Sequence, residues 1–559
     1  MDKYLIEYGL ENKDKIIEII YCNHYLDAID IAQSRAIKLL DDIKEYKNLK
    51  EEIYKTYNYN PFTPYAYYLS TILSLITYSV EKIDKDQSII YLVSNEASLF
   101  DSKFKTISLD RAIQLLSECD ILGLDSETEG LDPYTKALLL LQIGNKEFQV
   151  VFDIASFGGI IPKKLVNFLN NYPNTFILQN AKFDLKFLFK QGVILKRVFD
   201  TMLCEIILTN GLEYEGRDLK SLAKKYCNVE LDKSVRGEII SNGLSSAVIE
   251  YGANDVKYLP EIREKQLIEV NKYNLKGAVD LDNTFVVVLA YTEYCGIKLD
   301  YEKWKIKVLK NIETAEKYKK ELEDYIYNDK KYEYFSGMVD MFTGKQECII
   351  NWDSPKQVTK LLKEYGVNTE IVIKGEKKES IDSKVLEPQQ DQFPIIKPYL
   401  KYKEMQKEVS TYGYNWKNYI NPITGRIHTS FTQILNTGRM SSGNKYENLP
   451  NIQNLPRGED TRSCFISEPG NLLIDADYAS QEQIVLANFS KEPNLLEFYH
   501  RGFQDMHSYV AFLMYKDIRK CTVEELTPEK LSYVKEEYSE KRRIAKSAGF
   551  AMNKPFYLI

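Results

Sequence analysis

The spacing of hydrophobic positions divides the chain into four stretches. From residue 1 to about 95, Ile16, Ile17, Ile19 and Ile20, then Ala28, Ile29, Ile31 and Ala32, recur at helix-like intervals. This predicts a helical N-terminal region over 1–95. Over 96–272, the apolar runs ILGLDSE, FQVVFDI and TFILQN alternate with the helical stretches DRAIQLLSEC, KKLVNFLNN and AKFDLKFLFKQ, the pattern of an α/β domain. Residues 273–420 are mostly charged helix, as in KWKIKVLKNIETAEKYKKELEDYIY, interrupted by a Gly-rich polar stretch from Phe335 to Gln346. After 421 come turn-rich strands (NPITGRIHTSF, TGRMSSG), a short apolar strand NLLIDADY, and helices to the end.

Composition narrows the class of molecule. At 559 residues the chain is too long for one core, and 44% hydrophobic with 28% charged residues is the balance of a globular protein. A net charge of -7 points to no particular partner, because a nucleic-acid enzyme needs only a locally basic groove. Eight singly placed cysteines give no C-x-x-C pair for zinc or redox chemistry, which suggests a reduced, cytoplasmic setting. No signal-like N-terminus and no membrane-length apolar run is seen.

Chemistry concentrates in two constellations. In LGLDSETEG, Asp125 and Glu127 are two apart on an apolar run, so a strand presents both carboxylates on one face. In FILQNAKFDLKFLF, Asp184 falls in the first turn of a helix, where the dipole favours an acid. In VIEYGANDVKYL, Tyr251 and Asp255 are four apart and share a helical face. Singly, each has an ordinary explanation: a chance D-x-E, a helix-start acid, a core tyrosine beside a solvated aspartate. Farther on, Asp477 ends the run NLLIDAD, and Arg542, Lys546 and Phe550 recur every four residues, so one helical face carries two cations and a ring. Such a stripe suits a triphosphate and a base.

In this order the first set resembles the exonuclease of the DNA polymerase I family (family A), with its D-x-E, N-x-x-x-D and Y-x-x-x-D motifs; Asn180 completes the second. FDTMLCEIIL around Asp200 and DLKSLAKKYCNVELDKS resemble the family's intervening segments. The resemblance implies a ribonuclease-H-like α/β domain in which Asp125, Glu127, Asp184 and Asp255 hold two Mg²⁺ or Mn²⁺ ions while Tyr251 orients the attacking water. Four acids suit that task, since paired cations must be held against an anionic phosphodiester.

The blocks LAYTEYCGIKLD, NWDSPKQVTKLL, KYKEMQKEVSTY, NPITGRIHTSFTQILNTGRMSS and NIQNLPRG resemble the same family's polymerase module. This implies an incomplete α+β right-hand polymerase domain: a thumb-like region over 273–420, the first part of the palm over 421–490, and the first part of the fingers over 491–559. Asp477 then binds both palm metals, the Tyr478 carbonyl assists, and Glu482 packs on the sugar and selects deoxynucleotides. Ala479 and Ser480 depart from the family's usual Ser and Gln. Arg439, Gln453 and Asn454 match elements that touch primer-template DNA at its minor groove. His428 and His507 also stand at family-like positions and are given no chemical role.

After Asn553 the family continues to a Tyr-Gly pair, whereas here Lys554, Pro555 and a few more residues follow to Ile559. The expectation is therefore a phage-like polymerase interrupted within the fingers, with KPFYLI as read-through and the rest supplied by another coding segment. The expected partners are primer-template DNA, single-stranded 3′ ends, dNTPs and the missing C-terminal portion, in a bacterial or phage-infected cytoplasm. The alternatives are a 3′-to-5′ exonuclease without polymerase activity, or a DNA-binding remnant.

Overall fold

A computed structural model describes residues 2–10, 16–40, 76–82, 87–96, 104–213, 216–231, 235, 245–328, 335–339, 341–342, 344, 346–373, 376–444, 448–456, 458–521 and 527–553. Two compact units, 1–466 and 467–559, are treated separately.

The N-terminal stretch departs from the helical expectation. Strand β1 (Asp2–Leu10) pairs antiparallel with both β2 (Ile16–Cys22) and β3 (Ile76–Lys82), and helix α1 (Tyr25–Leu40) covers them. Ile16, Ile17, Ile19 and Ile20 therefore lie on a strand. Four isoleucines in seven residues are stiff at χ1 and pack better on a pleated surface, and β1 supplies the backbone partner that a local reading cannot see. The helix forms where Ala28, Ala32 and Ala36 recur every four residues, all fully buried.

The α/β region is built on a seven-stranded mixed sheet. Its strands are β4 (Ile89–Val93), β5 (Lys105–Thr106), β6 (Ile121–Thr128), β7 (Leu138–Gly144), β8 (Phe148–Asp153), β9 (Thr175–Leu178) and β10 (Val198–Asp200). The order across the sheet is β10-β9-β6-β7-β8-β4-β5. β4 draws a segment from before residue 95 into this sheet. The three helical stretches form as expected: α2 (Leu109–Ser117), α3 (Lys163–Asn171) and α4 (Ala181–Lys190). Leu122, Leu124, Leu141, Ile143, Val150 and Phe152 have no exposure and form the centre of the core.

Helix α5 (Thr201–Thr209) follows β10, and α6 (Ser246–Lys257), capped by the Ser245 side chain, crosses β6, β7 and β8. Two glycines permit that crossing. A Cβ on Gly123 would stand 2.6 Å from the Val256 carbonyl oxygen, and one on Gly252 would stand 2.4 Å from the Gln142 amide nitrogen. Both helix and strand therefore need bare backbone where they meet.

Beyond it, α7 (Leu259–Lys272) and α8 (Lys276–Cys295) lead to a small sheet of β11 (Ile297–Leu299), β12 (Arg426–Ile427) and a strand at Phe465–Ile466. The charged 27-residue helix Tyr301–Tyr327 packs against the helix Ile396–Thr411. The Gly-rich stretch near Phe335 to Gln346 contributes a hairpin of Ser336–Val339 with Gln346–Cys348. Strand β13 (Phe431–Thr432) pairs with Ser441–Ser442. Among the described residues, no helix is long and apolar enough to cross a membrane.

The second unit holds helices Gln481–Ser490, Pro493–His500, Met506–Met514, Lys516–Cys521, Pro528–Glu537 and Ser539–Asn553. The expected apolar strand NLLIDADY is not formed. Leu472 and Ile474 are 89% and 90% exposed, and among the described residues no strand pairs with them. A run of apolar residues becomes a strand only when neighbouring backbone accepts and donates its hydrogen bonds.

Candidate active site

One cavity of about 600 Å³ collects the first constellation: Asp125, Glu127, Asp184, Tyr251 and Asp255 all line it, with Ser126, Gln179, Asn180, Phe183 and Leu131. Three secondary-structure elements bring them there. β6 carries Asp125 and Glu127 on one face by the two-residue period of a strand. α6 carries Tyr251 and Asp255 one turn apart. α4 carries Asp184 in its first turn.

Carboxylate oxygens of Asp125, Glu127 and Asp255 lie within 4.8 Å of one another, the spacing of a shared cation site. Asp125 and Glu127 are half-buried and Asp255 is buried. Asp184 stands outside this mutual cluster, on another wall of the same cavity. It is 2% exposed and accepts a 2.5 Å hydrogen bond from the Ser126 hydroxyl. Burial pushes its carboxyl up to about 7, although the Ser126 hydroxyl works in the opposite direction. Burial, with the neighbouring Asp255 carboxylate, also holds the Tyr251 phenol well above its ordinary range, so the phenol keeps its proton. An all-oxygen donor set with two buried acids, Asp184 and Asp255, is suited to hard divalent cations.

The turn into α4 is specified locally. Asn180 has φ 60°, a left-handed conformation that asparagine tolerates better than most residues. Its amide and that of Ala181 donate to the Asp200 carboxylate at 3.1 and 2.8 Å. The same carboxylate caps α5 by accepting from Met202 and Leu203. Asp200, fully buried, thus fixes the helix that bears Asp184. Ser126 and Asp200 were missed as site residues: the first looks like a spacer within D-x-E, and the second reveals its function only through contacts about 20 residues away.

The polymerase-type residues fall in both units. In the first, Arg439, Gln453 and Asn454 are exposed, the last two on a short turn whose amides donate to the Asn451 side chain. His428 is held structurally: Nδ1 lies 2.8 Å from the Glu293 carbonyl and Nε2 2.8 Å from the Thr424 hydroxyl. Burial lowers its pKa.

In the second unit Asp477, Tyr478 and Glu482 are all exposed, Tyr478 at 80%. Arg542 makes a bidentate contact with Asp505, both bonds 3.0 Å, and reaches the Ser508 hydroxyl at 3.1 Å. Lys546 lies one turn on; burial, followed by the positive charge of Lys546, lowers the pKa of His507. The Phe550 side chain and residues 554–559 lie outside the described residues.

Comparison with known proteins agrees with this layout. Residues 104–270 match the 3′-5′ exonuclease family and residues 317–552 match DNA polymerase family A. DNA polymerase I of Borreliella burgdorferi is 30% identical over 483 residues, covering 83% of this chain and 48% of the relative. That of Aquifex aeolicus is 30% identical over 427 residues, covering 72% of this chain and 65% of the relative. The chain therefore spans about half to two thirds of the length of these relatives. Among solved structures, the POL domain of Pol1 from M. smegmatis, in complex with DNA primer-template and dNTP, superposes with a TM-score of 0.59 at 20% identity. It covers 82% of this chain and 71% of that one, and shows a shared fold. An exonuclease domain followed by a polymerase domain, in the order and with the motifs found here, makes this chain a member of DNA polymerase family A.

Proposed function

We propose that this chain hydrolyses DNA from the 3′ end at the cavity between β6, α4 and α6, as the proofreading function of a DNA-directed DNA polymerase acting in replication or repair. The observation that carries the proposal is the convergence of Asp125, Glu127 and Asp255 within 4.8 Å, with Asp184 lining the same cavity. These four acids hold the metal ions, two Mg²⁺ or Mn²⁺, directly or through water. Bound there, such ions would lower the pKa of a water molecule and offset the charge gathering on the phosphodiester.

The remaining work belongs to the protein. Tyr251 stays protonated and uses its hydroxyl to orient the attacking water. The Ser126 hydroxyl fixes one oxygen of Asp184, whose side chain lines the cavity. A single-stranded 3′ terminus is the proposed substrate.

For the polymerase domain the proposal assigns primer-template DNA to Arg439, Gln453 and Asn454. Metal goes to Asp477 and the Tyr478 carbonyl, the deoxyribose to Glu482, and the incoming dNTP to Arg542, Lys546 and Phe550. The workplace is the cytoplasm of a bacterial or phage-infected cell. The proposed domain limits are 273–420, 421–490 and 491–559 after an α/β domain that ends at 272 and begins before 96, because β4 belongs to its sheet.

The test is Mg²⁺-dependent shortening of a 5′-labelled single strand. Asp125→Ala combined with Glu127→Ala should reduce the rate by roughly three orders of magnitude, the several kcal/mol a bound metal contributes to the transition state. Shortening by the double variant at the unmodified rate would refute the assignment. A second reading, exonuclease without synthesis, is favoured by the exposed Asp477, which belongs to no three-residue metal cluster among the described residues. Templated dNTP incorporation by the purified chain would refute it.

A further inference from the structure

We infer that Glu293, on α8 outside the catalytic cavity, is a positioning residue for the exonuclease site: through Lys182 and Lys186 it sets the orientation of the helix bearing Asp184. The inference rests on the exonuclease reading and adds to it a residue with no counterpart among the motif acids.

The side chain of Glu293 is 1% exposed, and two cations of α4 meet its charge. The Lys182 ammonium lies 2.6 Å from one carboxylate oxygen and the Lys186 ammonium 3.0 Å from the other. The two lysines are four residues apart and so share one face of α4. Asp184, two residues from each, projects from the opposite face toward the cavity. Pinning both lysines to one buried carboxylate fixes the rotation of α4 about its axis, and that rotation decides where the Asp184 carboxylate points.

A second anchor acts on the same helix from the same direction. The Asn283 side chain, ten residues earlier on α8, accepts the Asp200 amide hydrogen at 2.5 Å. Asp200 in turn holds the amides of Asn180 and Ala181 at the start of α4. Ten residues of helix separate Asn283 and Glu293 by roughly 15 Å. α8 thus holds α4 at its entrance through Asn283 and along its outer face through Glu293.

Glu293 also joins this helix to the polymerase-type segment. The carboxylate oxygen that meets Lys182 accepts the Phe431 amide hydrogen at 2.6 Å, and Lys182 donates to the Phe431 carbonyl. The Glu293 backbone carbonyl meets His428. β13, which contains Phe431, opens the hairpin whose connection carries Arg439. One carboxylate therefore links the metal-ligand helix to the segment proposed to contact primer-template DNA.

The experiment is Mn²⁺ titration calorimetry on the full chain, with the Mg²⁺ dependence of 3′ shortening measured in parallel. Glu293→Gln keeps the size and an acceptor for Phe431 while removing the charge; Lys186→Met loosens one arm and leaves the Lys182 pair. We expect Glu293→Gln to weaken Mn²⁺ binding, and to raise the half-saturating Mg²⁺ concentration, by about tenfold, with kcat recovered at saturating metal. Lys186→Met should shift both by a smaller factor in the same direction. Asp110→Asn, which breaks an exposed ion pair with Lys164, should shift neither. A folded Glu293→Gln protein with the unmodified Mn²⁺ isotherm overturns the inference. If Glu293→Gln does not fold, an unmodified isotherm for Lys186→Met overturns it. An unmodified chain that binds Mn²⁺ but never shortens DNA refutes the exonuclease reading, while the isotherms still decide the role of Glu293.

Discussion

The runs LGLD and LLIDAD each end in an aspartate proposed to bind metal, Asp125 and Asp477, yet they meet opposite environments. Leu122 and Leu124 before Asp125 have no exposure, because β6 is paired on both sides, with β7 and β9. Leu472 and Ile474 before Asp477 are 89% and 90% exposed, with no strand paired to them among the described residues. The difference lies in the neighbours rather than in the runs. Where flanking strands and a crossing helix exist, three carboxylates come within 4.8 Å and a fourth lines the same cavity. Where they do not, the acid stands alone in solvent.

Three perturbations sharpen that contrast. The largest effect is expected from Ser126→Ala, which leaves the buried Asp184 without its hydroxyl donor. Loss of a residue that orients a metal ligand costs about 10- to 100-fold, read as the Mg²⁺-dependent rate of 3′ shortening. A rate within twofold of the unmodified chain would mean that Ser126 does not orient Asp184.

The next concerns pH. Burial holds the Asp184 carboxyl at about 7, so metal binding must displace its proton. The half-saturating Mg²⁺ concentration should therefore fall as pH rises through about 7. Without metal, the folded chain holds this proton more tightly than the unfolded chain does. Stability should then decline as pH rises from the ordinary carboxylate range toward 7, and added Mg²⁺ should oppose the decline. Thermal melts with and without Mg²⁺ at pH 5 and 8 check both signs.

The smallest effect belongs to the second unit. Asp505→Asn breaks the bidentate contact with Arg542, a charge-assisted pair contributing about 1–3 kcal/mol. Asp505 has a lowered pKa; burial alone would raise it, but the hydrogen bonds from Arg542 and Ser508 prevail. Its contribution is present above the ordinary Asp range and lost as pH falls through the depressed value. Urea unfolding of the 467–559 unit should show the loss, while 3′ shortening stays unchanged.

Much of the exonuclease cavity was legible in the sequence because its acids obey local periods: two residues on β6, four on α6, the first turn on α4. What was not legible depends on distant partners. Ser126 reaches Asp184 across 58 positions, and Glu293 reaches Lys182 across 111. The same blindness explains the N-terminal error. Ile16 to Ile20 become a strand only because β1 lies beside them, and Ile89 to Val93 join the main sheet through β8. NLLIDADY is the converse case, where strand propensity was legible and the partner strand was not.

The most direct test of the account compares three proteins on one 5′-labelled single strand in Mg²⁺: the unmodified chain, the Asp125→Ala/Glu127→Ala double variant, and Asp477→Ala. The account predicts shortening by the first, loss of roughly three orders of magnitude in the second, and the unmodified rate in the third. Equal loss in the second and third, or full activity in the second, would contradict it.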